Sequence, residues 1–421
     1  NDGSTGHELW AHNTSNGTTW QAADIRSGSA DSNPGYYMEL LVGDTLYFSA
    51  NDGSTGVELW AHDTSNASTW RVADVLSGSG SSAPGQYMSM LVGDTLYFSA
   101  NDGSTGYELW AHDTSNASTW QVADINSGSG NSWPGQYMAI LVGDSLYFSA
   151  YGPSSGTELW AHDTSNASTW RVAVIHSTIS STPGLYMSML VGDTLYFDAY
   201  DGSSGYELWA HDTSNASTWQ VADINSGSVG SNPGEYMEIL VGDTLYFSAN
   251  DGSSSHELWA HDTSNHSTWQ VADLRSGVTF GSNPGHYMEL LIGDTLYFSA
   301  DDGSTGHELW AHDTSNHSTW QVADIRSGSG SGSLPGQFME LLVGDTLYFS
   351  ANDGSTGVEL WAHDTSNHST WQVADIKSGL TGSSPGLYME LLIGDTLYLS
   401  AIDGTIGHEL WAYRPSIIDY N

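Results

Sequence analysis

One triplet, Glu-Leu-Trp, recurs nine times, and its spacing limits the folds that this chain can adopt. Its glutamates are at positions 8, 58, 108, 158, 207, 257, 308, 359 and 409, so successive spacings are 50, 50, 50, 49, 50, 51, 51 and 50 residues. A period of this length is typical of propellers and solenoids, in which each repeat is one supersecondary unit. Internal repetition therefore outweighs the total length of 421 residues as a guide to domain number.

The residues inside one period favour a propeller over a solenoid. The unit from Tyr87 to Ile125 contains four short runs, YMSMLV, TLYFSA, YELWAHD and TWQVADI, which are rich in the aromatic and β-branched residues of strands. Gly93-Asp94 separates the first two runs and is a two-residue hairpin signal. Tight turns make neighbouring strands antiparallel, whereas a parallel coil needs longer crossovers. The unit therefore predicts a four-stranded propeller blade.

The number of strands predicts the number of blades. The YM, TLY and TW runs each occur eight times and ELW occurs nine times. We predict an all-β, eight-bladed β-propeller of four-stranded antiparallel blades, forming one domain over residues 1–421. The partial repeats at the two ends would combine in a closing blade and leave one surplus ELW strand. Because unpaired edges attract partners, the sequence leaves open a homo-oligomer or filament through the terminal strands.

The charge balance restricts the partners of this protein. Seven Lys and Arg residues oppose 49 Asp and Glu residues, which gives a formal net charge of −42. Such a surface lacks the basic patch that nucleic acid or an anionic membrane requires, and it attracts cations. There are no cysteines, and no apolar run approaches the ~20 residues of a membrane span. The chain begins inside a repeat and without Met, so we expect a processed or truncated product.

The repeat resembles a known family. The segment LVGDTLYFSANDGSTGVELWAHDTSNASTW, from Leu41 to Trp70, is similar to the ELWxxDGT repeat across about thirty positions. The resemblance extends over essentially the whole chain and implies a secreted or surface-exposed prokaryotic β-propeller without assigned catalysis. This chain departs from the family at the DGT turn, where it has Asp-Thr-Ser-Asn. That departure puts any role specific to the family's turn in doubt.

The altered turn creates an Asn-x-Ser/Thr sequon in every repeat, which marks an exposed loop that can accept a glycan in a secreted protein. The candidate glycosylation sites are Asn16, Asn66, Asn116, Asn166, Asn215, Asn265, Asn316 and Asn367. Ordinary turn chemistry is the alternative, because Asn and Ser both favour tight reversals.

The Asn-Asp-Gly loop between the second and third strands is a candidate calcium site, since Ca²⁺ takes six to eight oxygen ligands. The candidate ligands are Asp52, Asp102, Asp201, Asp251, Asp302 and Asp353. Asp-Gly is also common turn chemistry, and the alternating carboxylates of a dedicated calcium loop are not present. The fourth repeat has Tyr151-Gly152-Pro153 at this loop and Val174 where other repeats have Asp. If that Asp and the loop form one site together, we expect no calcium in the fourth repeat.

Three further repeated residues have predicted structural roles. The ELW glutamate is expected to accept backbone hydrogen bonds, because a catalytic role would require one copy to differ from the others. Trp110 and Trp120 are expected to fill the layers between blades, where large rings dominate packing. The histidine two residues after each of the first eight ELW triplets, such as His112, is expected to contact its neighbouring Asp or Asn at the surface.

Positions where the repeats disagree are candidates for a ligand or partner surface, since the loops of propellers carry recognition. We select Tyr107, Tyr206, His256 and His307, which precede the ELW triplet, and His286, which precedes a YM pair. The position after the TW strand also varies, as Arg26, Leu76 and His176 show. Neutral drift at exposed positions is the alternative.

The sequence favours a non-enzymatic extracellular or cell-surface propeller that acts as a structural or adhesion scaffold. No Ser-His-Asp set, distinct carboxylate pair or phosphate-binding loop stands apart from the repeats. The alternative is a multivalent carbohydrate-binding lectin, in which repeated pockets between blades would give avidity.

Overall fold

The computed structural model describes residues 2–253, 255–275, 281–328, 332–405 and 407–415. Every regular element in these ranges is a β-strand, and none of the ranges holds a helix that could cross a membrane. The fold class predicted from the sequence is confirmed, namely an all-β chain of the eight-bladed β-propeller class with four-stranded antiparallel blades. Closure of the ring by the terminal strands stays a prediction.

Seven blades have all four strands in one sheet, and we number them in chain order. Blade 1 contains β3 Glu39–Val42, β4 Thr45–Asn51, β5 Val57–Asp63 and β6 Ser68–Ala73. Blade 2 contains β7 Ser89–Val92, β8 Thr95–Asn101, β9 Tyr107–Asp113 and β10 Ser118–Ala123. Blade 3 contains β11 Ala139–Val142, β12 Ser145–Gly152, β13 Gly156–Asp163 and β14 Ser168–Ala173. Blade 4 contains β15 Ser188–Val191, β16 Thr194–Tyr200, β17 Tyr206–Asp212 and β18 Ser217–Ala222.

The later blades repeat the same order. Blade 5 contains β19 Glu238–Val241, β20 Thr244–Asn250, β21 His256–Asp262 and β22 Ser267–Ala272. Blade 6 contains β23 Glu289–Ile292, β24 Thr295–Asp301, β25 His307–Asp313 and β26 Ser318–Ala323. Blade 7 contains β27 Glu340–Val343, β28 Thr346–Asn352, β29 Val358–Asp364 and β30 Ser369–Ala374.

The remaining five strands form two smaller sheets. The first sheet pairs β1 Leu9–Asn13 with β2 Thr18–Ala23, and the last sheet contains β31 Glu390–Ile393, β32 Thr396–Ala401 and β33 Glu409–Tyr413. The chain divides into two compact units, Asn1–Ser203 with Trp209–Trp219, and Ser204–Leu208 with Gln220–Asn421. The first unit contains the first sheet and blades 1 to 3, and the second contains blades 5 to 7 and the last sheet.

The core lies between consecutive blades. Tyr97 and Leu109 of blade 2 pack against Leu146 and Phe148 of blade 3, and the same layer recurs at other blade junctions. Both faces of the second strand are therefore buried, which explains why TLYFSA has large residues at successive positions. Trp110 is half-buried in such a layer, as predicted. Trp120 lies on the outermost strand of its sheet and is 40% exposed, so it does not fill such a layer. Its equivalents Trp269 and Trp320 do pack against the layers of their blades, so the prediction holds for only some of the repeats.

The ELW glutamate ties each blade to the linker that follows it. Glu58 is fully buried and accepts hydrogen bonds from the N–H of Val75 at 2.8 Å, the N–H of Ser82 at 3.0 Å and the hydroxyl of Ser82 at 2.7 Å. The carbonyl of Ser82 accepts the N–H of Asn101 in the next blade. The predicted role of this glutamate in backbone hydrogen bonding is confirmed. It satisfies donors that would otherwise be buried without partners.

The repeated histidine is buried in blades 1 to 7, so the predicted His–Asp surface contact is wrong there, whereas His12 of the first sheet is exposed. His112 is 1% exposed, its Nδ1 lies 2.8 Å from the Thr119 hydroxyl, and its ring packs on Tyr47 of the preceding blade with centroids 5.5 Å apart. Burial lowers the pKa of His112, and burial also lowers the pKa of His312 to about 4. These imidazoles are therefore neutral core groups at neutral pH.

Candidate functional site

Each blade has two edges of different character. The Gly-Asp hairpin and the sequon turn lie together at one edge, which we name the turn edge, since the N–H of Thr114 bonds to the carbonyl of Asp94. At the opposite edge, named the loop edge, are the Asn-Asp-Gly loop, the residue before ELW and the linker that leads to the YM pair. Tyr107 shows this placement, because its N–H donates to Asn131 Oδ1 and its carbonyl accepts the hydroxyl of Ser132. Predicted glycans and predicted recognition residues therefore occupy opposite edges.

All eight candidate sequon asparagines are exposed. Their amides take part in the turn, as in Asn116, whose Nδ2 donates to Asp113 Oδ2 at 2.6 Å and whose Oδ1 accepts the N–H of Ser118 at 2.9 Å. Turn chemistry thus accounts for the conserved geometry of the repeat, and glycosylation stays a prediction. The middle residue has a left-handed conformation, with φ of 60° at Ala117.

At this turn glycine should stabilise the protein, although replacing alanine with glycine in a strand or helix usually destabilises it. Replacing Ala67, Ala117, Ala167 and Ala216 with glycine should raise the free energy of unfolding by about 0.5–1 kcal/mol per turn, because a left-handed alanine costs roughly 1–2 kcal/mol. The first repeat already has Gly17 there, with φ of 71°. Thermal unfolding checks this, and the control is Ala139→Gly in strand β11, which should be destabilising. A lower melting temperature for the fourfold variant would contradict it.

The carboxylates predicted to bind calcium accept hydrogen bonds from residues of their own loops. Asp102 Oδ1 accepts the N–H groups of Ser104 and Thr105 at 2.8 Å each, and its Oδ2 accepts the hydroxyl of Ser104 at 2.7 Å. Burial raises the pKa of Asp102, but these hydrogen bonds outweigh it and hold the pKa at about 2. The same loop bonding is present at Asp52, Asp302 and Asp353. Within the described ranges no three His, Cys, Asp or Glu residues are grouped as metal ligands, and calcium binding stays a prediction.

Four glutamates form a row, because each begins the first strand of its sheet in the second unit. Glu238, Glu289, Glu340 and Glu390 occupy the same position in successive sheets, where blades 2 to 4 have Ser89, Ala139 and Ser188. Glu289 Oε2 accepts the N–H of Glu238 at 3.0 Å. Burial raises the pKa of Glu289 to about 8, helped by the neighbouring carboxylates, and burial raises that of Glu340 to about 7. This row was not predicted, because a single glutamate in a strongly acidic sequence does not stand out from the other acidic residues.

The strongest break from repetition is a cluster at the loop edges of blades 5 and 6. We name it the histidine–tyrosine cluster, and it contains Glu235, Tyr236, His256, His286, Tyr287 and His307. Three residues that were predicted separately, His256, His286 and His307, are brought together there. The two tyrosines connect them, although the sequence comparison had passed over these as parts of the repeated YM pair.

The rings of the cluster form a continuous series. The Tyr236 ring lies 5.0 Å from His256 and 4.9 Å from His286, and the Tyr287 ring lies 4.4 Å from His286 and 5.0 Å from His307. All four contacts are edge-to-face, the geometry that the quadrupoles of aromatic rings favour. His286 is exposed and both tyrosines are half-buried. The cluster therefore presents rings to solvent from a fixed frame.

Polar groups surround the rings of the cluster. Glu235 Oε2 lies 3.0 Å from His256 Nε2 and accepts a hydrogen bond from Asn232 Nδ2 at 3.1 Å. The hydrogen bond from His256 lowers the pKa of Glu235. Burial lowers the pKa of His286 and takes that of His307 to about 4. At neutral pH the cluster thus offers a carboxylate and the neutral imidazoles of His286 and His307, which can both donate and accept hydrogen bonds.

The two other predicted surface residues lie at the same edge in earlier blades. Tyr107 packs edge-to-face on Tyr87, with ring centroids 5.3 Å apart. Tyr206 begins β17, and its carbonyl accepts the N–H of Asn232. The variable position after the TW strand is half-buried at Arg26, Leu76 and His176. A Cβ on Gly103 would come within 2.5 Å of Leu76 Cδ1, so this side chain lies against the loop of the next repeat.

Comparison with known proteins finds only distant similarity to solved structures. No family model and no curated protein matches this sequence. Among solved structures, a puromycin-hydrolysing peptidase of Mycobacterium tuberculosis is 10% identical with a TM-score of 0.42, and the match covers 94% of this chain and 60% of that one. BamB of Moraxella catarrhalis is 14% identical with a TM-score of 0.40, over 87% of this chain and 94% of that one. This chain thus spans less than two thirds of the peptidase.

Proposed function

We propose that this protein is a non-enzymatic extracellular or cell-surface scaffold that adheres through the loop edge of its blades. One observation carries the proposal. The repeated glutamates and histidines have structural roles within the blades, whereas three residues that vary between repeats lie together in the histidine–tyrosine cluster. The ELW glutamates accept backbone hydrogen bonds, and the repeated histidines are buried against tyrosines. Variation concentrated at one exposed edge is the pattern of a recognition surface on a rigid support.

Extracellular location rests on the sequence alone. The charge of −42 and the resemblance to a secreted repeat family both suit a protein exposed to salt-rich surroundings. A negative surface of this size keeps copies apart until ions screen it.

Adhesion can be measured directly with protein-coated beads under flow. Beads coated with this protein should stay on glass, protein-coated or polysaccharide-coated surfaces at shear that removes beads coated with an inert acidic protein of similar charge. The inert protein is the control for the charge of the coating. Equal detachment of both kinds of bead from every surface would contradict an adhesive role.

A lectin is the second candidate, and a repeated aromatic pair favours it. Tyr87–Tyr107, Tyr236–His256, Tyr287–His307 and Tyr388–His408 occupy equivalent positions at four loop edges, with centroids between 4.6 and 5.3 Å apart. Equivalent pairs would bind one polysaccharide at several points and so gain avidity. A glycan array separates the two functions, since a lectin should bind a defined sugar set more tightly as sugar density rises. Adhesion without array binding would support the scaffold instead.

A further inference from the structure

The turn edges of blades 5, 6 and 7 differ from those of blades 1 to 4 at one position. The middle residue of the sequon turn is alanine in the earlier blades, whereas in the later three it is His266, His317 and His368. All three histidines are exposed, and each has a left-handed φ of 61° or 62°, close to that of Ala117. The backbone of the turn is therefore the same in both sets, and only the side chain differs.

Each of these exposed histidines lies beside the buried histidine of its own blade. In blade 6 the ring centroids of His312 and His317 are 6.4 Å apart, and in blade 7 those of His363 and His368 are 6.5 Å apart. The two rings are inclined by 34° in both pairs. The same arrangement in two blades shows that it follows from the turn and not from one local contact.

The buried histidine has one ring nitrogen in contact with a threonine and the other without a hydrogen-bond partner. His312 and His363 are fully buried, and their Nδ1 atoms lie 2.9 Å from the hydroxyls of Thr319 and Thr370. The Nε2 atoms of both histidines are buried and accept or donate no hydrogen bond. When Nδ1 donates its proton to the threonine, Nε2 carries a free lone pair, which is the tautomer that a metal ligand requires.

The spacing of the rings suits two imidazoles on one metal ion. An imidazole nitrogen lies about 2.0–2.1 Å from its metal and about 1.1 Å from its ring centroid, so two rings on one ion have centroids up to about 6.4 Å apart. The separations in blades 6 and 7 are close to this limit, and rotation of the exposed side chain shortens them. Imidazole is a ligand for Cu²⁺, Ni²⁺ and Zn²⁺, whereas Ca²⁺ and Mg²⁺ prefer oxygen.

Electrostatics also favour a cation at these pairs. Burial, helped by the neighbouring His317, lowers the pKa of His312 to about 4, so this imidazole is neutral and available at neutral pH. In blade 5 burial and the neighbouring His266 have the same effect on His261, whose Nδ1 lies 2.9 Å from a threonine hydroxyl. The net charge of −42 raises the local concentration of cations.

We propose that the histidine pairs at the turn edges of blades 5, 6 and 7 each bind one divalent transition-metal ion, with Cu²⁺ bound most tightly. The pairs are His261 with His266, His312 with His317, and His363 with His368. The buried ring supplies Nε2 from a fixed position, the exposed ring binds the ion from the solvent side, and water completes the coordination. The pairs share no residue with the histidine–tyrosine cluster, so adhesion through that cluster can fail while metal binding holds.

Isothermal titration calorimetry with Cu²⁺ at pH 7 counts these sites, with 10 mM MgCl₂ present so that Mg²⁺ occupies the carboxylates. One variant combines His266→Ala, His317→Ala and His368→Ala, which introduce the residue that blades 1 to 4 have at this turn. The control is His7→Val, which removes a histidine whose side chain is 60% exposed and introduces the residue found as Val57. Far-UV circular dichroism confirms that each variant is folded.

A second variant builds a new pair in blade 2. His112 is buried and its Nδ1 lies 2.8 Å from the Thr119 hydroxyl, so this blade already has the buried half of a site. Ala117→His should supply the exposed half. This gain of a site complements the losses expected in the triple variant, because general damage to the fold cannot produce it.

The triple variant should bind three fewer Cu²⁺ ions per chain than wild type, Ala117→His should bind one more, and His7→Val should bind the same number as wild type. Electron paramagnetic resonance of Cu²⁺-loaded wild type should show coupling to two nitrogens, which the triple variant should lose. A triple variant that binds as many ions as wild type, an Ala117→His variant that gains none, or a wild-type spectrum without nitrogen coupling would each overturn the proposal.

Discussion

Replacing Glu207 with alanine should lower the free energy of unfolding by about 3–5 kcal/mol, because it leaves buried donors without an acceptor. Glu207 is fully buried and accepts the N–H groups of Ile224 and Ser231 at 2.8 and 2.9 Å, and the hydroxyl of Ser231 at 2.6 Å. Glu207→Gln keeps one acceptor oxygen and should cost about half as much. Urea unfolding and hydrogen exchange of the Ile224 and Ser231 amides measure both effects.

The chain provides a matched control for this prediction. Glu409 is the same ELW glutamate in the last sheet, but there it is exposed. Glu409→Ala should therefore change stability by less than about 0.5 kcal/mol, as exposed substitutions usually do. Similar losses for Glu207→Ala and Glu409→Ala would show that strand propensity, and not the buried hydrogen bonds, determines the cost.

Replacing Glu289 and Glu340 with glutamine should raise the melting temperature at pH 9 and leave it nearly unchanged at pH 5. Burial raises the pKa of Glu289 to about 8 and that of Glu340 to about 7, from an ordinary value of 4.5. A raised pKa means that the folded state holds its proton more tightly, so stability is full below pH 4.5 and is lost as pH rises through 7 and 8. At about 1.4 kcal/mol for each pKa unit, ionising the pair costs several kcal/mol.

Glutamine removes this cost because it stays uncharged. The control is Glu39→Gln, since Glu39 has the same position in blade 1 but is exposed, and it should not alter the pH profile. Thermal unfolding from pH 5 to 9 tests the prediction. If the double variant and the control shift the profile equally, the effect comes from net charge on the surface and not from the buried row.

Much of the fold could be predicted because the same pattern of strands and turns recurs in every repeat. The four runs of Tyr87–Ile125 became strands, and the ELW glutamate accepts backbone hydrogen bonds as expected. His112 was misjudged because the adjacent Asp113 suggested a local contact, while its actual neighbour, Tyr47, lies 65 residues earlier. Only the packing of one blade on the next reveals such a partner.

The candidate site was predicted as separate residues and not as a cluster. His256, His286 and His307 were selected because they vary between repeats. Their meeting depends on strand register and on how blade 5 packs on blade 6. Tyr236 and Tyr287 could not be selected in this way, because a residue that is the same in most repeats is interpreted as structural. Here the same tyrosines belong to the repeated YM pair and also contact the histidines that vary.

The most direct test of this account is bead adhesion by a variant in which the three histidines of the cluster are replaced with residues from the same positions of other repeats. His256→Tyr, His286→Gln and His307→Val introduce residues already present at the same positions, as Tyr107, Gln86 and Val57 show, so the fold should be retained. We predict an unchanged melting temperature at pH 7 and at least a tenfold loss of bead retention. Unchanged retention by the folded variant would contradict recognition at the histidine–tyrosine cluster.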